Sequence, residues 1–385
     1  MIPLSVPNLK GNELKYVTEA IKTEWVSTGG GFVTRFENEI ASYLKVNKAV
    51  ACQSGTAGLH LALRLAGVGY GDEVIVPTLT FIAAVNPVRY QGAEPIFMDC
   101  DDTLNMDVEK LEQFCREECT LTEKGLVNNK TKKIIKAIIV VHVFGNMADM
   151  ESIMKIAEKY RLKVIEDATE ALGTYYKSGK YAGKFAGTIG DFGVYSFNGN
   201  KIITTGGGGM LVAKDSGMAD KAKYLSTQAK DDTLYFIHNE IGYNYRMTNV
   251  QAAIGVAQLE QLEDFIAIKE KNYYTYKKEI ADIEGLSLLD FRSNTRPNYW
   301  FYSLIIDKEY GLNRDQLLRK LSDAKIQTRP IWGLIHQQKP YVNNQTYKIE
   351  KAVQYREKIL NIPCSSNLSY NDVLEVVSRL RSFKS

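Results

Sequence analysis

Between residues 48 and 213 the sequence alternates short apolar runs with amphipathic helical patterns, and this alternation constrains the fold more than any other feature. KAVACQ, EVIVP, PIFMD, IKAIIVVHV, KVIED, DFGVYSF and GGMLVAK read as strands. TAGLHLALRLAG, FIAAVNPVRYQG, DVEKLEQFCREEC and ADMESIMKIAEKYR read as the intervening helices, and TLTEKGLVNNKTKK as a polar insertion. Strands that alternate with helices pair side by side through crossovers, which predicts an α/β layer with a mostly parallel sheet. In such sheets ligands gather beyond the carboxyl ends of the strands.

After Thr248 the pattern changes. TNVQAAIGVAQLEQLEDFIAIKEKNYYTYKKEIAD reads as one long helix carrying the chain out of the first layer. GLSLLD and YWFYSLIID then read as strands, and NRDQLLRKLSDAK and NDVLEVVSRLRSF as helices. The 385 residues therefore divide into an expected large domain over 1–255 and a smaller C-terminal α/β domain over 256–385.

A formal net charge of +3 is too small to signal nucleic acid or an anionic membrane as partner, and the basic cluster NNKTKKIIK reads as a solvated loop. The five cysteines are scattered, in odd number and without zinc spacing, so neither a disulfide framework nor a metal site is expected. Cys115 and Cys119 are expected to share one helix face. The first residues lack a signal-peptide pattern and no apolar run reaches the roughly 18 residues of a membrane span, so cytoplasmic localisation is the expectation.

Two glycine-rich stretches carry no nucleotide motif. GGGG at 206–209 is not followed by Lys and Ser or Thr, and GVGYG lies between a helix and a strand, on the wrong side for a dinucleotide fingerprint. CQSGTAGLHLAL is better placed, because a strand feeds a helix whose first amides, around Gly55 and Thr56, face an anion. Ser54 and Thr56 add hydroxyls, although for this segment taken alone an ordinary N-cap is the leading explanation. KVIEDATEALG places Glu166 and Asp167 at a strand end, where Asp167 reads either as a functional acid or as a helix cap, and His142 in VVHVFGN reads as a hydrogen-bonded structural residue. SFNGNKIITTGGGGM then supplies a single lysine, Lys201. An anion-binding turn, an aromatic at TLTFIAA, a strand-end acid and a lysine together match what pyridoxal phosphate needs: phosphate donors, a stacking face, a partner for the pyridinium nitrogen and a Schiff-base amine.

These motifs, in order, resemble the sugar aminotransferases of the DegT/DnrJ/EryC1/StrS type, pyridoxal-phosphate enzymes of fold type I (aspartate aminotransferase-like). The resemblance runs from WVSTGGGFVTRFE through SGTAGLHLAL, PTLTFIAAVNP, VVHVFGNMADM, EDATEALG, GDFGVYSFNGNKIITTGGGGM and GYNYRMTNVQAAIG to TRPIW. It implies that Lys201 is the cofactor-anchoring lysine and the proton carrier, and that Asp167 partners the pyridinium nitrogen. It further implies that Phe81 stacks on the ring and that Gly55, Thr56 and Ser196 bind the phosphate. Asn244 is implied to reach the phosphate of a neighbouring subunit, hence a homodimer with shared sites. Glu170 stands where many relatives carry glutamine near the cofactor's phenolic oxygen. Trp25, Ser27, Thr28 and Gly29 are implied to border the sugar pocket. Arg329 reads either as a ligand of the nucleotide diphosphate or as a surface arginine. The implied reaction moves an amino group from L-glutamate to a nucleotide-linked keto sugar. SFNGNKIITTGGGGM and EDATEALG look most like the branch that aminates UDP-linked 4-keto-6-deoxy-N-acetylhexosamines on the way to bacillosamine and legionaminic acid in surface glycans. GDP- and dTDP-linked keto sugars, a sugar dehydration and a non-catalytic regulator on the same fold stay open as alternatives.

Overall fold

A computed structural model describes residues 1–384. Its central sheet is built from β1 (Ala49–Cys52), β2 (Glu73–Pro77), β3 (Glu94–Met98), β4 (Ile134–Val141), β5 (Lys163–Asp167), β6 (Phe192–Ser196) and β7 (Gly209–Ala213), in the spatial order β1-β7-β6-β5-β4-β2-β3. The pairs β2–β3, β2–β4, β4–β5 and β5–β6 are parallel, and of these seven strands β7 alone runs against its neighbours. These strands are short, apolar and buried almost throughout, as expected where helices cover both faces of a parallel sheet.

Six helices matter for the site: α1 (Glu13–Lys22), α2 (Gly31–Leu44), α3 (Gly55–Leu65), α4 (Asn249–Leu259), α5 (Leu262–Glu279) and α6 (Tyr370–Phe383). The expected single long helix after Thr248 is two. α4 opens on a capping box made by Thr248 and Gln251 and packs on α1 and α2. At Gln261 the backbone leaves the helix (φ −109°, ψ −2°). Glu260 is held there by Tyr16 Oη (2.7 Å) and Asn12 Nδ2 (2.8 Å), while Gln261 Nε2 donates to Glu13 (2.8 Å). These bonds fix the end of α4 on α1, and α5 leaves in its own direction.

Cys115 and Cys119 do not share a helix. The helix Val108–Glu117 ends before Cys119, which opens a hairpin of Cys119–Thr122 and Gly125–Asn128. The polar insertion is thus a β-ribbon, with Glu123 and Lys124 at its turn, that pairs with β4. All five cysteines are buried and free, and no cluster of three or more metal-ligating side chains occurs among the described residues. No helix among them is long and apolar enough to cross a membrane.

A second, antiparallel sheet has the order β8 (Leu286–Leu288), β9 (Tyr302–Ile306), β11 (Ile359–Ile362), β10 (Arg329–Pro330), and α5 packs with α6 beside it. The chain's first residues run along this sheet: Ile2 bridges Ile326, the Leu4 carbonyl accepts from Cys364 N–H (2.8 Å), and Val6 N–H donates to Ser365 Oγ (2.9 Å). A two-residue strand, Thr346–Tyr347, returns to pair in parallel with the edge of β3.

Candidate active site

A cavity of about 400 Å³ opens where β1, β5 and β6 end. Cys52, Gly209 and Ser196 stand in one row across β1, β7 and β6, and Asp167 pairs with Val194, two residues before Ser196. Gly208 takes φ +134°, a conformation L side chains resist. A Cβ on Gly209 would stand 2.5 Å from the Ser54 carbonyl carbon, so glycine lets β7 start against the turn into α3. The four glycines thus form a tight return beside the cavity, which Gly207 and Gly208 line.

Ser54 caps α3, its Oγ accepting from Ala57 N–H at 3.0 Å. The N-cap reading of this segment is therefore realised at Ser54, and the amides of the first turn stay available beside it. Gly55 brings that turn against β6 and the segment after β5: a Cβ there would meet Thr169 Cγ2 at 2.9 Å and Ser196 Cβ at 3.1 Å. Gly55, Thr56, Thr169 and Ser196 together line one end of the cavity.

Asp167, the last residue of β5, lines the cavity and is buried. Its Oδ1 accepts from Thr169 N–H at 3.1 Å, and its other oxygen takes no hydrogen bond among the described residues. Burial pushes its carboxyl upward, against the pull of the Thr169 bonds, Lys201 and His142. Glu166 serves another purpose. It accepts from the backbone N–H groups of Gly187 (2.8 Å), Ile189 (2.6 Å) and Gly190 and pairs with His142 Nε2 at 2.9 Å. Because His142 Nδ1 accepts from Ala148 N–H (3.1 Å), the ring proton sits on Nε2 and points at Glu166. His142 is thus the buried structural histidine that the sequence suggests.

Lys201 follows β6 on a turn closed by its own N–H donating to Asn198 O at 3.0 Å. Its Nζ stands 4.2 Å from the centre of the Trp300 ring and 3.6 Å from Glu170 Oε1. Trp300 is fixed at three points: Nε1 donates to Asn200 O (2.7 Å), its backbone N–H donates to Asn298 Oδ1 (3.0 Å), and its ring stacks on Phe301 at 4.0 Å. Asn298 also donates to the carbonyls of Glu170 (2.9 Å) and Leu172 (3.0 Å), which binds the tryptophan wall to the segment carrying Glu170. Glu170 is buried, accepts Phe144 N–H at 2.8 Å, and is pushed up to about 7 by burial. Phe144 donates from a left-handed backbone (φ 55°), a strained conformation held at the cavity edge.

Of the residues expected at the site, Gly55, Thr56, Phe81, Asp167, Glu170, Ser196 and Lys201 surround this cavity. Phe81 stands at its mouth, 54% exposed. Trp25, Ser27, Thr28 and Gly29 do not line it. Their loop is tied to the start of α4, where Asn249 Nδ2 donates to Trp25 O (2.6 Å), Asn249 N–H donates to Ser27 O (2.6 Å) and Arg246 Nε donates to Thr28 O (3.0 Å). Asn244 is exposed and pairs with Thr227 away from the cavity of its own chain. Arg329 is exposed on β10. Sequence reasoning missed Trp300, Phe301 and Trp332, which line the cavity, and Phe144 at 4.6 Å from Trp332, which backs it. The chain has three tryptophans, and two of them lie here; that rarity was the available signal.

The donor set fits pyridoxal phosphate. One end offers first-turn amides and hydroxyls to a dianion, Asp167 offers an unused carboxylate oxygen, Lys201 lines the same cavity, and aromatic rings flank the space.

Comparison with known proteins agrees with this chemistry. The family profile described as "DegT/DnrJ/EryC1/StrS aminotransferase family" matches residues 7–381. GDP-perosamine synthase of Caulobacter vibrioides is 38% identical over 381 residues, covering 98% of this chain and 97% of that protein. The putative pyridoxal phosphate-dependent aminotransferase EpsN of Bacillus subtilis is 36% identical, covering 98% and 95%. The crystal structure of the aminotransferase TlmJ from Streptoalloteichus hindustanus superimposes with a TM-score of 0.88 at 28% identity, covering 100% of this chain and 98% of that one.

Proposed function

The chain belongs to the DegT/DnrJ/EryC1/StrS family of pyridoxal-phosphate-dependent nucleotide-sugar aminotransferases, and from that premise we propose that it moves an amino group from L-glutamate to the 4-keto group of a nucleotide-linked 4-keto-6-deoxy sugar for surface glycan synthesis. The observation that carries this reading is the convergence of Lys201, Asp167 and the first turn of α3 on one cavity.

Bound pyridoxal phosphate supplies an aldehyde that exchanges an amino group and a pyridinium ring that withdraws electrons. The protein's part is placement and proton handling. Gly55 and Thr56 at the start of α3, with Ser196, bind the phosphate, where amides and helix dipole favour a dianion. As a carboxylate, Asp167 would accept a hydrogen bond from the protonated ring nitrogen and so keep the ring cationic; its unused oxygen supports this role. Phe81 stacks on the ring face. Lys201 would hold the cofactor through its side-chain nitrogen and, as a free amine, would serve as the proton carrier. Glu170 would sit near the cofactor's phenolic oxygen, and Trp300, Phe301 and Trp332 supply an apolar wall to the cavity that holds the lysine.

The remaining assignments concern the assembly. Asn244 reaches the phosphate of a second copy in a homodimer, which accounts for an asparagine exposed and away from its own cavity. Trp25, Ser27, Thr28 and Gly29 border the sugar, and Arg329 contributes to the nucleotide diphosphate. Residues 1–255 act as the cofactor-binding domain and 256–385 as the smaller one.

A GDP-linked keto sugar is the first candidate substrate, because a relative covering nearly the whole chain is a GDP-perosamine synthase. The wording of SFNGNKIITTGGGGM and EDATEALG favours a UDP-linked 4-keto-6-deoxy-N-acetylhexosamine as the second. Glutamate-dependent amination of GDP-, UDP- and dTDP-linked keto sugars, with the product position read by NMR, tests the reading. Activity on none of them, or turnover without glutamate uptake, counts against it.

A further inference from the structure

Lys201 and Glu170 meet in the cavity without forming a close ion pair. Nζ lies 3.6 Å from Oε1, longer than the roughly 2.7–2.9 Å of a charge-assisted N–H···O bond. The other carboxylate oxygen is occupied by Phe144 N–H at 2.8 Å, so Oε1 has Lys201 as its one neighbouring donor among the described residues. On the far side of Nζ lies the Trp300 ring, held by Asn200 and Asn298. The other ionisable group facing the pair is Asp167, whose charge opposes ionisation of Glu170 while that of Lys201 favours it. Burial outweighs both and holds the Glu170 carboxyl at about 7.

The geometry points to Glu170 as the acceptor of the proton that Lys201 must lose before its nitrogen can act. An ammonium has no lone pair, so it neither attacks an aldehyde nor removes a proton from carbon. Transfer moves one proton from Lys201 Nζ to Glu170 Oε1, turning an ammonium and a carboxylate into an amine and a carboxylic acid. No other bond changes, the total charge stays constant, and no external base is required. Burial favours the uncharged pair, because a low-dielectric site penalises separated charges. A glutamine at position 170 accepts no proton and leaves the amine dependent on solvent. The inference rests on the aminotransferase reading above.

The test follows covalent capture of pyridoxal phosphate by the unloaded, full-length protein, read as absorbance and fixed with borohydride for mass analysis of the Lys201 peptide. For the natural protein the capture rate should change less than about twofold between pH 7 and 8.5, because internal transfer is independent of pH. For Glu170→Gln it should rise about tenfold per pH unit, because the amine then forms by loss of a proton to water. Parallel profiles in the two proteins overturn the proposal and leave the aminotransferase reading standing; failure of the natural protein to capture the aldehyde overturns both. Binding of pyridoxine phosphate, which lacks the aldehyde, reports whether the variant site is intact. The natural protein alone gives a variant-independent check: a capture rate that rises about tenfold per pH unit between pH 7 and 8.5 overturns the proposal.

Discussion

Glu166 and Asp167 are adjacent in the chain, yet their carboxylates face opposite sides of β5: one is bonded to His142 and three backbone amides, the other lines the cavity with an unused oxygen. The strand's period of two separates them, so one carboxylate builds and the other is left for chemistry.

Their substitutions should therefore diverge. Glu166→Ala removes the acceptor for four buried donors and should cost about 3–5 kcal/mol of stability, seen in denaturant unfolding. Asp167→Ala should change stability far less and reduce turnover by orders of magnitude. Comparable stability losses for both would contradict the division.

Lys201→Ala should abolish turnover while the protein still binds pyridoxal phosphate without a covalent link. Borohydride should fix the cofactor to the natural protein and not to the variant. Retained turnover would remove Lys201 from its role.

Mixing Lys201→Ala with Asn244→Ala subunits tests the shared site. Each homodimer should be inactive or nearly so, and the mixture should regain activity at sites that pair an intact Lys201 with an intact Asn244. No recovery in verified mixed dimers would place Asn244 outside the partner's site.

Stability should also report the Glu170 environment. Its folded pKa of about 7 lies above the usual 4.5. The folded state therefore holds the proton more tightly, and this group's contribution is fully present below about pH 4.5 and lost as pH rises to about 7. Glu170→Gln should gain on the natural protein over that interval by up to about 3 kcal/mol, measured on unloaded protein by urea unfolding. A constant difference from pH 4.5 to 8 would show that Glu170 is not held protonated.

Lys269 behaves in the opposite sense. It is buried in α5, donates to the Cys364 carbonyl and has its pKa lowered by burial, so the unfolded chain binds its proton more tightly. Stability from this group rises with pH toward the ordinary lysine value. Lys269→Met should thus be more stabilising, or less destabilising, at pH 6 than at pH 10; a pH-independent effect would contradict the assignment.

Much of the catalytic end was legible because its requirements are local. A strand-to-helix turn, a strand-end acid and a lysine on a glycine-flanked turn each occupy a few consecutive residues, and Gly55, Asp167 and Lys201 meet as the order of strands dictates. The aromatic wall was not legible, because Trp300 and Trp332 belong to the segments flanking β9 and β10 and reach the cavity only through tertiary packing. The break at Gln261 was hidden for a similar reason: helical periodicity continues through it, and only Tyr16, Asn12 and Glu13 on a distant segment create the turn. Cys119 was misplaced because one turn of helical spacing does not separate a helix end from a strand start.

The strip formed by residues 2–6 gives the molecule a particular order of completion. Leu4 N–H donates to Gln327 across 323 positions, and Val6 donates to Ser365 across 359. Residues 2–6 find these partners only after Gln327 and Ser365 have been made, so this seam closes long after its first strand has been synthesised. Trimming the first six residues would therefore loosen β10 and β11, far along the chain, before it touched the neighbouring helices α1 and α2.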